Sequence, residues 1–233
     1  MLVFTIVYVN ANADSNIVLN SATDAPLSKV TQDGFIDKVA AKAFSNIGFT
    51  LIVKKLPAER GLRNANKGLI DGDIARIAGL SQSYPNLVRV PEKIFEMSFV
   101  VWSYKEIDMT QAWDALSNRN VAYITGWKIF EHHLPKTALV TKTKNSMQLF
   151  TLLKKGRTDY VLYNRSGGEY ISDQLNMATI KLQKPPLATK AMYIYLHKRH
   201  RKLVPLISQA LVDMKKDGSY AALAIKYLPS PAK

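Results

Sequence analysis

The sequence predicts an α/β protein of two lobes with mainly parallel sheets. Short β-branched runs alternate with amphipathic helical stretches, the alternation falls into two similar cycles, and two long apolar strands join those cycles. Ile17 to Leu19 opens the first cycle as a strand. Gly34 to Ile47 reads as a helix, with Phe35, Val39, Ala43 and Phe44 on one stripe and Gly48 as its stop. Phe49 to Lys54 is the next strand, and Ala58 to Lys67 the next helix, with Pro57 near its start and Gly68 near its end. Ile74 to Ile77 reads as a buried strand that leaves through Gly79 into a polar loop, Ser81 to Asn86. Phe99 to Tyr104 is the first long apolar strand.

The second cycle begins with strand Val121 to Ile124, a Thr125-Gly126 turn and a helix. Asn145 to Lys155 is a further helix, ended by Gly156, and Tyr160 to Tyr163 a strand, while Gly167-Gly168 reads as a lone turn signal. Pro185-Pro186 breaks the chain before the second long strand, Met192 to Leu196. Val204 to Leu228 is helical, with an interruption at Asp217-Gly218-Ser219. The long strands set the division. Residues 14–102 and 189–233 form a discontinuous first lobe and residues 103–188 an inserted second one, with a hinge near Phe99 to Ser103 and Thr189 to Ile194.

The 233 residues suffice for two modest lobes with their own cores, and 47% hydrophobic with 21% charged residues is globular composition. Leu2 to Val9 (LVFTIVYV), followed by Ala11-Asn12-Ala13, has the layout of a secretory signal peptide cleaved after Ala13, although only Met1 precedes it, with no Lys or Arg. Without cysteine, disulfides and thiolate metal sites are excluded. The net charge of +14 raises nucleic acid as a partner, but the basic residues are scattered. The one dense run, His197 to Lys202, reads as a solvated turn, and no nucleic-acid partner is expected. His132 and His133 are neighbours on a helix and point about 100° apart, so no metal site is expected. Phosphate-cradling, dinucleotide and nucleophile-elbow motifs are absent, and no cofactor is expected.

Five segments stand in a telling order: GFIDKVAAKAF (Gly34 to Phe44), KGLIDGDI (Lys67 to Ile74), VAYITGWK (Val121 to Lys128), LLKKGRTDYVLYN (Leu152 to Asn164) and LISQALVDMKKDGSYAALAIKYL (Leu206 to Leu228). Together they resemble the polar amino-acid type of periplasmic solute-binding protein, the family-3 group that serves ABC importers. The resemblance implies a type II periplasmic-binding-protein-like fold with a two-strand hinge, a periplasmic location and a monomer. It also implies ABC-importer membrane subunits or a membrane sensor as partner. Three departures weaken a plain L-amino acid as ligand. The loop GLSQSYPN lacks the family's carboxylate-gripping Arg, Asn164 replaces the Asp that holds the α-amino group, and Trp127 replaces the Thr after the second-lobe glycine.

The residues themselves offer candidates for binding. Arg76 sits in an apolar strand, where a guanidinium needs an anion: either a ligand carboxylate or an internal acid such as Asp71, Asp73 or Glu59. Arg60 lies in the first turn of a helix, where a cation opposes the helix dipole, and is either a cleft contact or a plain surface residue. Asp24 follows the first strand and is either an ammonium ligand or a turn residue. Thr125, Gly126 and Trp127 form a strand-to-helix turn whose N–H groups suit an anion, with Trp127 either a stacking wall or core filler. Tyr163 and Asn164 end their strand, where open α/β sheets place ligands. The expected function is closure on a small polar, carboxylate-bearing ligand, without catalysis. A dehydratase-like enzyme on the same lobes is the rival, with Glu169, Asp24 or Glu96 as its acid, though none stands in an acid–base pair.

Overall fold

A computed structural model describes residues 16–228. The Leu2 to Val9 run and the cleavage site after Ala13 lie outside the described residues. The strands are β1 (Asn16–Ser21), β2 (Thr50–Lys54), β3 (Gly72–Arg76), β4 (Leu87–Arg89), β5 (Phe95–Ser103), β6 (Asn120–Ile124), β7 (Leu139–Thr143), β8 (Tyr160–Asn164), β9 (Lys181–Leu182) and β10 (Ala188–His197). The helices are α1 (Phe35–Ser45), α2 (Ala58–Asn66), α3 (Lys128–His133), α4 (Ser146–Lys154), α5 (Arg165–Gln174), α6 (Leu203–Lys216) and α7 (Ser219–Tyr227).

The strand path runs β2-β1-β3-β10-β5-β8-β6-β7. Its outer parts, β2-β1-β3 and β8-β6-β7, are parallel, as the strand–helix alternation requires. Antiparallel pairing is confined to the middle, where β5 and β10 run. Residues 188 to 192 of β10 pair with β5, and residues 193 to 197 pair with β3 and β4. In β5, residues from Phe95 to Phe99 face β10, and those from Phe99 to Trp102 face β8. Both long strands therefore bridge the two parallel regions.

Helix α1 buries the stripe read from its sequence, Phe35, Val39, Ala43 and Phe44. It also buries Asp37, whose carboxylate accepts the Gly34 N–H, the Lys29 N–H and the Ser28 hydroxyl. A Cβ at Gly34 would stand 2.5 Å from the Leu27 carbonyl oxygen, so only glycine fits there. No helix among the described residues is long and apolar enough to cross a membrane.

Two segments differ from the sequence reading. Gly167-Gly168 is not a turn but the buried first part of α5, which lies so close to β5 that a Cβ on Gly168 would be 2.3 Å from Trp102. The His197 to Lys202 run is not wholly solvated. Arg199 and His200 both reach the Asp71 carboxylate, which also accepts the Val18 N–H, so the run ties the end of β10 to the start of β1.

Candidate ligand-binding cleft

The C-terminal ends of β1, β2 and β3 on one side, and of β6 and β7 on the other, enclose a cleft, the position where open α/β sheets bind ligands. It contains two cavities that share Ala22 in their walls. The smaller, about 40 Å³, is mainly apolar, with Ile77, Met97, Phe99, Trp127 and Met192 among its lining residues. The larger, about 370 Å³, is lined from both sides, with Asp24, Lys55, Lys144 and Ser146 among its residues.

Three contacts cross the cleft. Lys128 Nζ lies 2.8 Å from Glu59 Oε2 and 2.9 Å from Glu131 Oε2, with the Lys128 and Glu59 side chains 17% and 22% exposed. Burial alone would lower the Lys128 pKa, but hydrogen bonds to the two glutamates reverse this and hold it above the ordinary lysine range. Glu59 also accepts from Tyr84 and Arg63; burial alone would raise its carboxyl, but the Lys128 bond, then those from Tyr84 and Arg63, hold it below the usual value. In the second contact, the Tyr163 hydroxyl donates to Asp24 Oδ2 at 2.6 Å. Burial, and then the Asp24 charge, push the phenol well up, so this proton stays on Tyr163. In the third, Gly126 (φ +87°) lies against the first turn of α2, where a Cβ would stand 2.5 Å from the Glu59 nitrogen.

The structure separates the residues singled out in the sequence. Asp24, Gly126 and Trp127 line the cleft, and the buried Tyr163 reaches it only through its hydrogen bond to Asp24. Trp127 is both wall and core: its ring is stacked with Phe130 and lies 4.7 Å, centroid to centroid, from Tyr163. Arg76 lines the smaller cavity, but its guanidinium is held by Asp73, with Nε to Oδ1 at 2.7 Å and Nη2 to Oδ2 at 3.0 Å, and by the Ala58 carbonyl. The internal acid is thus Asp73. Residues three apart on a regular strand face opposite ways, yet Ala75 adopts φ +65° and β3 slips register against β10, which turns Arg76 back. Burial raises the Asp73 carboxyl, opposed by Arg76, Asn20 and Lys55. Nη1 makes no hydrogen bond among the described residues and remains available to the cavity.

Three positions do not join the site. Arg60 is exposed and lines neither cavity; one step along α2 turns it about 100° from Glu59, which does face the cleft. Thr125 is exposed, and the expected N–H nest is not free for an anion. Thr125 N donates to Thr143 O, Gly126 N to Glu131 Oε1 and Trp127 N to Ile124 O. Asn164 is buried and caps α5, accepting from Gly167 N, and its Nδ2 has no partner among the described residues. The sequence reading missed Glu59 and Lys128 as a pair, for which no motif exists. It also missed Lys55, although that residue follows directly on a strand read correctly, at the end where ligands bind.

No family model matches the chain. An uncharacterized protein of Shewanella oneidensis is 24% identical over 187 residues, 76% of this chain and 70% of its own length. Among solved structures, a variant of ArgBP from T. maritima superposes with TM-score 0.76 and 17% identity, covering 91% of this chain and 95% of that one. A histidine kinase sensor domain with similarity to periplasmic binding proteins gives TM-score 0.75 at 15% identity, covering 91% and 96%. A substrate-binding protein of an ABC uptake transporter from Streptococcus pneumoniae, with bound histidine, gives 0.74 at 16%, covering 91% and 92%. The chain has the periplasmic-binding-protein-like α/β fold. Among its structural neighbours are amino-acid-binding proteins and a sensor domain.

Proposed function

We propose that this protein is an extracytoplasmic solute-binding protein that closes on a small carboxylate-bearing solute, an amino acid or a relative of one, and hands it to an ABC-type importer. In this reading residues 14–102 and 189–233 form one lobe and residues 103–188 the other, hinged on β5 and β10, and the chain reaches the periplasm by a signal peptide at residues 1–13. The carrying observation is a cleft lined from both parallel regions at their strand ends, with two strands, β5 and β10, bridging them among the described residues. A binding protein needs this arrangement, because closure converts occupancy into a shape that a membrane partner can read. Asp24, Trp127 and the free Nη1 of Arg76 form walls the solute meets, with Tyr163 holding Asp24 from behind. The sensor-domain neighbour supports a second reading, in which the closed form is presented to a receptor.

A thermal-shift screen with amino acids, dicarboxylates, polyamines and small peptides tests the proposal, because a solute bound only by the folded state raises the melting temperature. X-ray scattering then reports whether the responding solute contracts the particle. Turnover of prephenate or arogenate by the purified protein would instead make it a dehydratase-like enzyme, and a screen without any response would remove the binding role.

A further inference from the structure

The walls of the cleft carry more cations than acids. In the smaller cavity the ionisable lining residues are Arg76 and Lys128, and each already faces acids of the protein itself. In the larger cavity Lys55 and Lys144 stand against a single acid, Asp24, one oxygen of which is taken by Tyr163. Lys55 differs from the paired cations. It is partly buried, its Nζ donates to the Thr23 carbonyl and the Ser28 hydroxyl, both neutral, and it joins no ion pair among the described residues. Burial pulls its pKa below the ordinary lysine value, and the charges of Asp24, Asp37 and Asp73 only oppose that pull from a distance. An ammonium drawn out of water with neutral partners alone gains most from an anion brought beside it.

We propose that Lys55 is the anion anchor of the cleft and that the ligand is a small carboxylate with a short apolar body. Its head lies on the Lys55 ammonium in the larger cavity, and its body passes Ala22 to rest against Trp127, Phe99 and Met97. The apolar cavity, at about 40 Å³, takes about three water-sized groups, which suits a branched aliphatic chain rather than a ring. In the larger cavity a cationic solute meets Lys55 and Lys144 with one half-occupied acid, Asp24, in return, because Arg76 and Lys128 are already paired with acids of the protein. The second oxygen of Asp24 has no partner among the described residues and takes a ligand ammonium where there is one. The inference rests on the solute-binding reading.

The test is calorimetric titration of the purified protein with leucine, 4-methylpentanoate, 3-methylbutylamine and arginine. Leucine and 4-methylpentanoate are expected to bind at least tenfold more tightly than the amine or arginine, and the gap between the two carboxylates reports the Asp24 contribution. Lys55→Met is expected to weaken both carboxylates by thirtyfold or more without lowering the melting temperature of the unliganded protein, and Lys55→Arg to recover most of the affinity. The ligand comparison needs no variant, so it decides the class even if Lys55→Met does not fold. Unchanged carboxylate binding in Lys55→Met overturns the anchor. Arginine binding as tightly as leucine, with contraction in scattering, overturns the class and leaves the solute-binding reading intact. Absence of binding or contraction with these four solutes and with the wider screen overturns both.

Discussion

Gly126→Ala separates the closing of the cleft from the stability of the fold. Gly126 combines φ +87° with an imagined Cβ 2.5 Å from the Glu59 nitrogen, so alanine adds two distinct costs. The first is left-handed backbone, about 1–2 kcal/mol, paid whether the cleft is open or closed. Gly156 has φ +65° and nothing within 4 Å of its imagined Cβ, so Gly156→Ala isolates that cost. For a chain of this size each kcal/mol lowers the melting temperature by about 2–4 °C, and both variants should fall by a similar amount in calorimetry. If the cleft closes on its solute as proposed, the second cost arises only in the closed form. Normal contact requires the new methyl and the Glu59 backbone to part by about 1 Å, and overpacking of this kind costs about 1–3 kcal/mol. At 1.4 kcal/mol per tenfold, solute affinity in titration should fall about 5- to 150-fold for Gly126→Ala and stay at the parent value for Gly156→Ala. Equal affinities in the two variants would show that α2 and the β6–α3 turn do not meet when the solute is held.

Other perturbations probe the pairs that build the site. Arg76→Met leaves the fully buried Asp73 without its guanidinium, which should cost about 3–5 kcal/mol and lower the melting temperature by about 10 °C; Arg76→Met with Asp73→Asn should recover most of it. A single variant that melts with the parent would remove Asp73 as the structural partner. Burial alone would raise the Asp71 carboxyl, but the Val18 N–H, Arg199 and His200 outweigh it and the net shift is downward. A depressed folded pKa stabilises above the unfolded value of about 3.9, and the benefit fades as pH falls through the folded one. Denaturation midpoints from pH 7 to pH 2 should therefore drop less steeply below about pH 4 in Asp71→Asn than in the parent. Gly168→Ala drives a methyl to within 2.3 Å of Trp102 and should cost about 1–3 kcal/mol, with a changed near-ultraviolet dichroism; an unaltered tryptophan signal would contradict the close approach of α5.

The fold was legible where local pattern and tertiary need agree. The α1 stripe, the strand–glycine–helix steps and the broken terminal helix are each set by residues a few positions apart. β7 was missed because Leu139 to Thr143 is an edge strand with four of its five residues exposed, so no run of buried residues marks it. α5 was missed because its glycines, read as a turn, serve close packing. Gly167 and Gly168 keep α5 against Tyr163 and Trp102, a constraint visible only once β5 and β8 are side by side.

The site was less legible, for a reason that Arg76 makes concrete. A cation in an apolar strand announces that an anion lies nearby, but not whether the protein or the solute supplies it. The decision rests on the φ of one residue: with Ala75 in regular strand geometry, Arg76 and Asp73 would point to opposite faces of the sheet. Positive φ at alanine costs on the order of 1–3 kcal/mol and carries no mark in the sequence. The contacts across the cleft are harder still, because they join residues 69 apart for Glu59 and Lys128 and 139 apart for Asp24 and Tyr163. Lys55 shows what sequence could have supplied. A lysine directly after a strand read as parallel sits at the strand end where open α/β sheets bind ligands, and that position alone makes it a candidate before any partner is known.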